Sequence, residues 1–263
     1  MYRVGMSTCD MNMDKKSFME LAQNGIFDIE ISKSDCKDYD GLDFRNIKKT
    51  AEESGINIWS FHLPFAPFDL LDISSAEKEK RDKAIGIQSE LIKSCGSIGI
   101  DKFVIHPSGE PIEKEEREER LKFSRDSLSR LANAAEKFNA VICVEDLPRT
   151  CLGNCIDEMN FLTAEDERIK VCFDTNHIIV DKPEAVIRAL RNKIVTLHVS
   201  DFDFVDEKHW VPGDGEINWN RVKAALEEID YTGVWMYEAK FQSRYAKLSI
   251  SDFKENAKKI LLG

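Results

Sequence analysis

Eight short apolar runs, each followed by a longer stretch of helical character, succeed one another along the chain, and this alternation limits the available folds more than any other feature. The runs occupy 2–7, 27–31, 56–63, 102–106, 141–145, 170–174, 194–199 and 234–238. Each is brief and rich in Val, Ile, Phe or Tyr. Few alternate polar with apolar residues, as expected of parallel strands covered on both faces. The stretches between them read as helices over 15–24, 44–54, 77–98, 114–138, 156–166, 182–191, 219–229 and 251–262. Gly25, Gly55 and Gly99 follow three of these just before a strand, where a left-handed cap favours glycine. Eight strand–helix units in 263 residues predict an α/β chain folded as a single (β/α)8 barrel over 1–263. A doubly wound open sheet is the alternative. It would carry fewer strands and usually a glycine-rich first turn, and no Gly-x-Gly-x-x-Gly occurs. No linker or low-complexity segment divides the chain.

Composition narrows the partners. Asp and Glu number 48 against 37 Lys and Arg, a formal net charge of −11, which disfavours nucleic acid because phosphate binding rests on clustered bases. No apolar run approaches the roughly 18 residues of a membrane span. The first residues carry no apolar leader, and the expectation is a cytoplasmic protein. Seven cysteines, mostly inside apolar runs (Cys9, Cys95, Cys143 and Cys172 among them), suit reduced thiols better than a disulfide framework. Cys151 and Cys155 form a C-x3-C pair, a weak metal signal, and read as loop or helix-start thiols.

In a (β/α)8 barrel, function gathers at the C-terminal ends of the strands. There the sequence places His62, His106, Glu145, Asp174, His198 and Glu238, one from each of the last six strands and separated by 44, 39, 29, 24 and 40 residues. Of the five histidines, the remaining two fall at the same end: His177 lies three residues past Asp174, and His209 follows the seventh strand. Glu145 and Glu238 close apolar runs, and a buried carboxylate needs a proton, a cation or a metal. Imidazoles with carboxylates suit a divalent ion such as Zn, Mn, Co or Fe better than Mg. The plainer alternative pairs these glutamates with Lys240 or Arg149. Glu30 faces the same end, toward a substrate or a basic side chain. Phe61, Phe65, Phe68, Trp210 and Trp219 could flank a sugar ring or simply pack the core and lid.

The segments VICVED at 141–146, CFDTNH at 172–177, LHVSD at 197–201, HWVPGDGEINW at 209–219 and MYEAK at 236–240 resemble the xylose isomerase-like TIM-barrel superfamily. The resemblance covers essentially the whole chain. That superfamily holds sugar and sugar-phosphate isomerases and epimerases together with zinc-dependent AP endonucleases of the endonuclease IV type. The isomerase branch implies one metal held by Glu145, Asp174, His198 and Glu238. Glu145 and Glu238 would also be the acid/base pair of a proton transfer through an enediolate, with His177, His209, His62 and Arg149 on the substrate. The endonuclease branch implies further metals on His62, His106, His177, Glu207 and His209, with Glu207 where that branch usually has Asp. Dehydratase or lyase chemistry, and a catalytically silent sugar-binding barrel, are further alternatives. The rim loops at 64–75, 107–116 and 202–206 are apolar and acidic, which favours a small carbohydrate over a DNA backbone. Arg149, Arg244 and Lys240 could hold an anionic group on such a substrate. A homo-oligomer stays open.

Overall fold

The computed structural model describes residues 2–177, 180–244 and 246–262. Its eight strands are β1 (Arg3–Ser7), β2 (Asp28–Ile31), β3 (Asn57–His62), β4 (Lys102–Ile105), β5 (Val141–Glu145), β6 (Ile169–Asp174), β7 (Ile194–His198) and β8 (Val234–Tyr237). Every adjacent pair is parallel, and the ladder runs from β8 through β1 to β7 in sequence order. Just past β7, Val199 closes the seam. Its N–H donates to the Met236 carbonyl (2.8 Å), and its carbonyl accepts from the Glu238 N–H (3.2 Å). The sheet therefore has no open edge, and the chain is a single (β/α)8 barrel.

Nine helices are present among the described residues: α1 (Lys15–Gln23), α2 (Phe44–Glu53), α3 (Phe68–Leu71), α4 (Lys78–Gly96), α5 (Arg117–Glu136), α6 (Ile156–Leu162), α7 (Pro183–Leu190), α8 (Trp219–Glu228) and α9 (Ile250–Leu262). Side-chain caps set several starts: Asp14 accepts from the Ser17 N–H, Asp43 from Asn46 and Asn218 from Arg221. Gly25 and Gly55 end α1 and α2 at φ +74° and +75°, as their spacing predicts. The expected helix over 114–138 is trimmed to Arg117–Glu136. The extra helix α3 lies in the loop after β3, where four residues are too few to leave a periodic pattern.

The main core lies between strands and helices. Phe18, Leu21, Phe61, Phe103, Leu128, Phe173, Ile187 and Trp235 are all buried in it, while a smaller set of Val104, Cys143 and Cys172 packs separately. The N-terminal ends of the strands carry a polar plug. Trp59 stacks between Arg3 and Lys102 (4.9 and 3.9 Å to the ring centre) and donates Nε1–H to Thr196 Oγ1 across the barrel (3.1 Å). Arg3 and Asn57 both bond Asp28 Oδ1 (2.9 and 2.7 Å). No helix among the described residues is long and apolar enough to cross a membrane.

At the opposite end, Asp201 organises the long β7–α8 loop. Its carboxylate accepts the backbone N–H groups of Phe202, Gly213 and Ile217 and the Trp219 Nε1–H. A Cβ on Gly215 would meet Asp201 Oδ1 and the Phe202 carbonyl at 2.3 Å, so only glycine allows this close approach. Each buried donor left unpaired costs about 1–3 kcal/mol. We therefore expect Asp201→Ala to lower unfolding free energy by at least about 2 kcal/mol in urea titrations.

Candidate metal centre

Four strands deliver a functional side chain with their last residue, His62 on β3, Glu145 on β5, Asp174 on β6 and His198 on β7, and His106 and Glu238 stand one residue past β4 and β8. All six converge. Glu145 is the hub: its Oε2 lies 2.9 Å from His62 Nε2 and 3.2 Å from His106 Nε2, and its Oε1 lies 2.8 Å from His198 Nδ1. The same His198 Nδ1 is 3.1 Å from Glu238 Oε2 and 3.9 Å from Asp174 Oδ2. One donor atom each from Glu145, Asp174, His198 and Glu238 falls within 4.8 Å of the others. Two more groups adjoin, His62 with Glu145 and His198, and His177 with Glu207 and His209.

Backbone carbonyls orient three of the imidazoles. His62 Nδ1 donates to the Leu63 carbonyl (2.8 Å), His177 Nδ1 to Asp146 (2.8 Å) and His209 Nδ1 to Glu238 (3.0 Å). Each therefore turns Nε2 toward the acids. His198 is held by a side chain instead: its Nε2 lies 2.9 Å from Oε1 of Glu30, a carboxylate with no exposed surface. The sequence places Glu30 at this end, toward a substrate or a basic side chain, and the structure gives it the imidazole of His198. Its signal was an acid inside the apolar run FDIEI.

The electrostatics follow from the crowding of buried acids. Burial pushes Glu145 up, yet His198, His106 and His62 around it hold its carboxyl well below the usual range. Burial likewise opposes the ionisation of Glu238, and His198 wins there as well. Asp174 goes the other way: burial, then the charges of Glu238 and Glu145, push it up to about 7 despite nearby His177. Its Oδ1 accepts from the Asn176 N–H (2.6 Å), while the buried Oδ2 has no hydrogen-bond partner. An orphaned carboxylate oxygen beside two other acids and an imidazole is the donor set a divalent cation fits. Burial disfavours charge on His62 too, but Glu145 lifts it to about 9.

Arg149 sits at φ +54° on the β5–α6 loop. Its Nε and Nη2 bond the two oxygens of Glu110 (3.1 and 2.6 Å), and Nη1 bonds Glu207 Oε2 (2.6 Å). Glu207 thus presents Oε1 to His209 Nε2 (2.8 Å) and His177 Nε2 (3.9 Å), which hold its carboxyl far below the usual range. The plainer pairing of Glu145 or Glu238 with Arg149 is not formed. Lys240 donates its backbone N–H to the His209 carbonyl, and the Arg244 guanidinium lies over the Trp210 ring (4.6 Å). Phe61 and Trp219 are buried, whereas Phe65 stacks on His106 (4.1 Å, 10°) and beside Phe68. All seven cysteines are free thiols, with Cys155 at the start of α6.

The model of the xylose isomerase-like TIM barrel family matches residues 18–258. The chain belongs to this family. Among its curated relatives is a D-psicose 3-epimerase of Ruminiclostridium cellulolyticum, 27% identical over 239 residues, covering 84% of this chain and 76% of that protein. A protein named probable endonuclease 4 from Geotalea daltonii is 29% identical over 136 residues, 49% of this chain and 45% of its own length. Matches to two uncharacterised proteins of Methanocaldococcus jannaschii, at 24% and 26% identity, span about two thirds of this chain (65% and 66%) and 67% and 63% of theirs. Among solved structures, a D-tagatose 3-epimerase-like protein superposes with a TM-score of 0.85 at 21% identity, over 99% of this chain and 97% of that one.

The raised Asp174 carboxyl gives a signed prediction. An acid whose folded pKa lies above its unfolded value weakens the fold wherever it ionises in the unfolded chain. The penalty is absent below about pH 4 and grows through neutrality. Asp174→Asn should therefore stabilise chelator-treated protein at pH 8 by about 1–3 kcal/mol, with the gain vanishing toward pH 4 in urea titrations. The same variant should lose any stabilisation by added Zn or Mn.

Proposed function

We propose that this protein is a divalent-metal-dependent isomerase or epimerase of a small sugar or sugar phosphate, moving a proton beside a carbonyl through an enediolate. The observation that carries the reading is the placement of two carboxylates from strands well separated around the barrel, Glu145 on β5 and Glu238 after β8, against one imidazole nitrogen. The names of the epimerase relatives and structural neighbours support the same substrate class.

Glu145, Asp174, His198 and Glu238 would hold the ion, with Zn, Mn or Co matching their chemistry. When bound, a divalent metal supplies Lewis-acid stabilisation of oxyanion charge on the substrate. The chain's own residues divide the remaining work. Glu238 keeps 15% of its side chain exposed against 1% for Glu145, so Glu238 is the better placed base toward an arriving substrate. Glu145, with histidines on both oxygens, serves as the opposing acid/base group. His177 and His209 orient substrate oxygens through their inward Nε2 atoms, and His62 lines the pocket beside Glu145. Phe65, flat against His106, offers an apolar wall that excludes water from the reacting carbon. Arg149 acts at one remove, tying Glu207 toward His177 and His209. The seven unpaired thiols suit a reducing cytoplasm.

One observation favours a second reading, metal-dependent hydrolysis of a DNA phosphodiester. His62, His106, His177, Glu207 and His209 surround the same cluster, the set that the endonuclease branch implies for additional zinc ions. Against it stands the mouth itself, whose loops at 64–75, 107–116 and 202–206 are apolar and acidic, a poor surface for a long phosphate backbone.

Three measurements separate the readings. Metal analysis of protein never exposed to chelator should give about one ion per chain. Incubation with a ketose panel in deuterated water should place solvent deuterium on carbon, read by NMR. Glu238→Gln should cut that exchange by at least about 100-fold, the usual weight of a general base. Three zinc ions together with metal-dependent nicking of an abasic duplex would overturn the proposal in favour of the hydrolase.

A further inference from the structure

The barrel ladder has two irregularities, and both bear on the same buried pair. Between β2 and β3 the register runs Ile29↔Ile58 and then Glu30↔Ser60, so Trp59 is an extra residue. Between β6 and β7 it runs Val171↔Ile194 and then Cys172↔Thr196, so Val195 is extra, and the shifted register ends on Asp174↔His198. Such bulges re-aim side chains. Here the first sets Ser60 opposite Glu30, where its Oγ donates to Glu30 Oε2 (2.7 Å). The second sets His198 opposite Asp174. Glu30 Oε1 then meets His198 Nε2 at 2.9 Å, with both side chains fully buried.

A metal binds imidazole through a ring nitrogen that carries no proton, and the ring's other nitrogen then keeps the single N–H, which here faces Glu30 Oε1. Nδ1 is the nitrogen that faces Glu145 Oε1, Glu238 Oε2 and Asp174 Oδ2, at 2.8, 3.1 and 3.9 Å. Without an ion, a proton on Nδ1 bonds Glu145 Oε1; a divalent cation among the same three carboxylates would take that proton's place. The other three oriented histidines are held by backbone carbonyls through Nδ1 and turn Nε2 inward. His198 alone of these four is reversed, and it alone has a carboxylate behind it.

We infer that Glu30 is a positioning residue for the metal centre: braced by Ser60, it fixes the tautomer of His198, commits Nδ1 to the ion and strengthens that nitrogen as a ligand. The inference rests on the metal reading above and adds to it a residue outside the four-ligand set. A carboxylate behind a ligating histidine typically contributes about 10–100-fold in metal affinity.

The test uses full-length protein stripped with chelator and reloaded with Zn or Co, its affinity measured by competition with a chromophoric chelator. Glu30→Gln keeps the shape and an acceptor oxygen but removes the charge; Glu30→Leu removes both; Ser60→Ala releases the brace. The expected order of affinity is wild type, then Ser60→Ala, then Glu30→Gln, weaker than wild type by about 10–100-fold, then Glu30→Leu. Thermal midpoints of the metal-free Glu30→Gln and wild-type proteins should agree closely, which a purely structural role would not give. Nitrogen-15 shifts of the His198 ring in the Zn-loaded wild type should show Nε2 protonated and Nδ1 on the metal. If Glu30→Leu fails to fold, Glu30→Gln and the ring shifts decide the matter. Wild-type affinity in Glu30→Gln, or a proton on Nδ1 in the loaded protein, overturns the inference and leaves the metal reading standing. Wild-type protein that binds no metal overturns both.

Discussion

The carboxylate of Glu145 is the constraint around which the upper half of the barrel is arranged. It is essentially without solvent exposure, and His62, His106 and His198 all point a ring nitrogen at it. A bare anion at that depth would be prohibitively costly. Charge compensation must therefore come from neighbours delivered by other strands, and only a closed barrel brings β3, β4, β5 and β7 to one point. The fold and the site are thus mutually dependent: the seam made by Val199 keeps the ring closed, and the ring keeps the histidines in reach.

The same crowding leaves two buried acids of the site with an unpartnered oxygen. Asp174 has an unpartnered oxygen and a carboxyl held up to about 7, and adjoining Asp146, also buried, is pushed up by burial with one oxygen unpaired. Elsewhere acids are resolved in the ordinary way. Asp28 is shared by Arg3 and Asn57, and Asp201 accepts four N–H donors. Ser7 Oγ, Gln88 Oε1 and Trp235 Nε1 are also buried without a partner, but the only buried unpartnered carboxylate oxygens among the described residues belong to Asp146 and Asp174.

Much of this was legible beforehand, because the eightfold alternation of short apolar runs and helices fixes a parallel barrel, and parallel barrels put strand-end residues together. His62, Glu145, Asp174, His198 and Glu238 could be chosen from position alone. Glu30 could be placed at the same end from its run, but not paired with His198, because the bulge that sets Ser60 opposite it has no signature in composition or period. Arg149 shows the complementary gap. Sequence places it at the mouth, but only coordinates show that Glu110 and Glu207, 39 residues before it and 58 after, claim its guanidinium. Long-range pairing of surface charges follows no spacing rule.

Trp59 between Arg3 and Lys102, tied to Thr196 and flanked by Asp28 and Asn57, fills the end of the barrel opposite Glu145 with side chains. Those polar and aromatic contacts give the closed end a stable floor, so the loops at the other end are free to vary without loosening the ring of strands beneath Glu145.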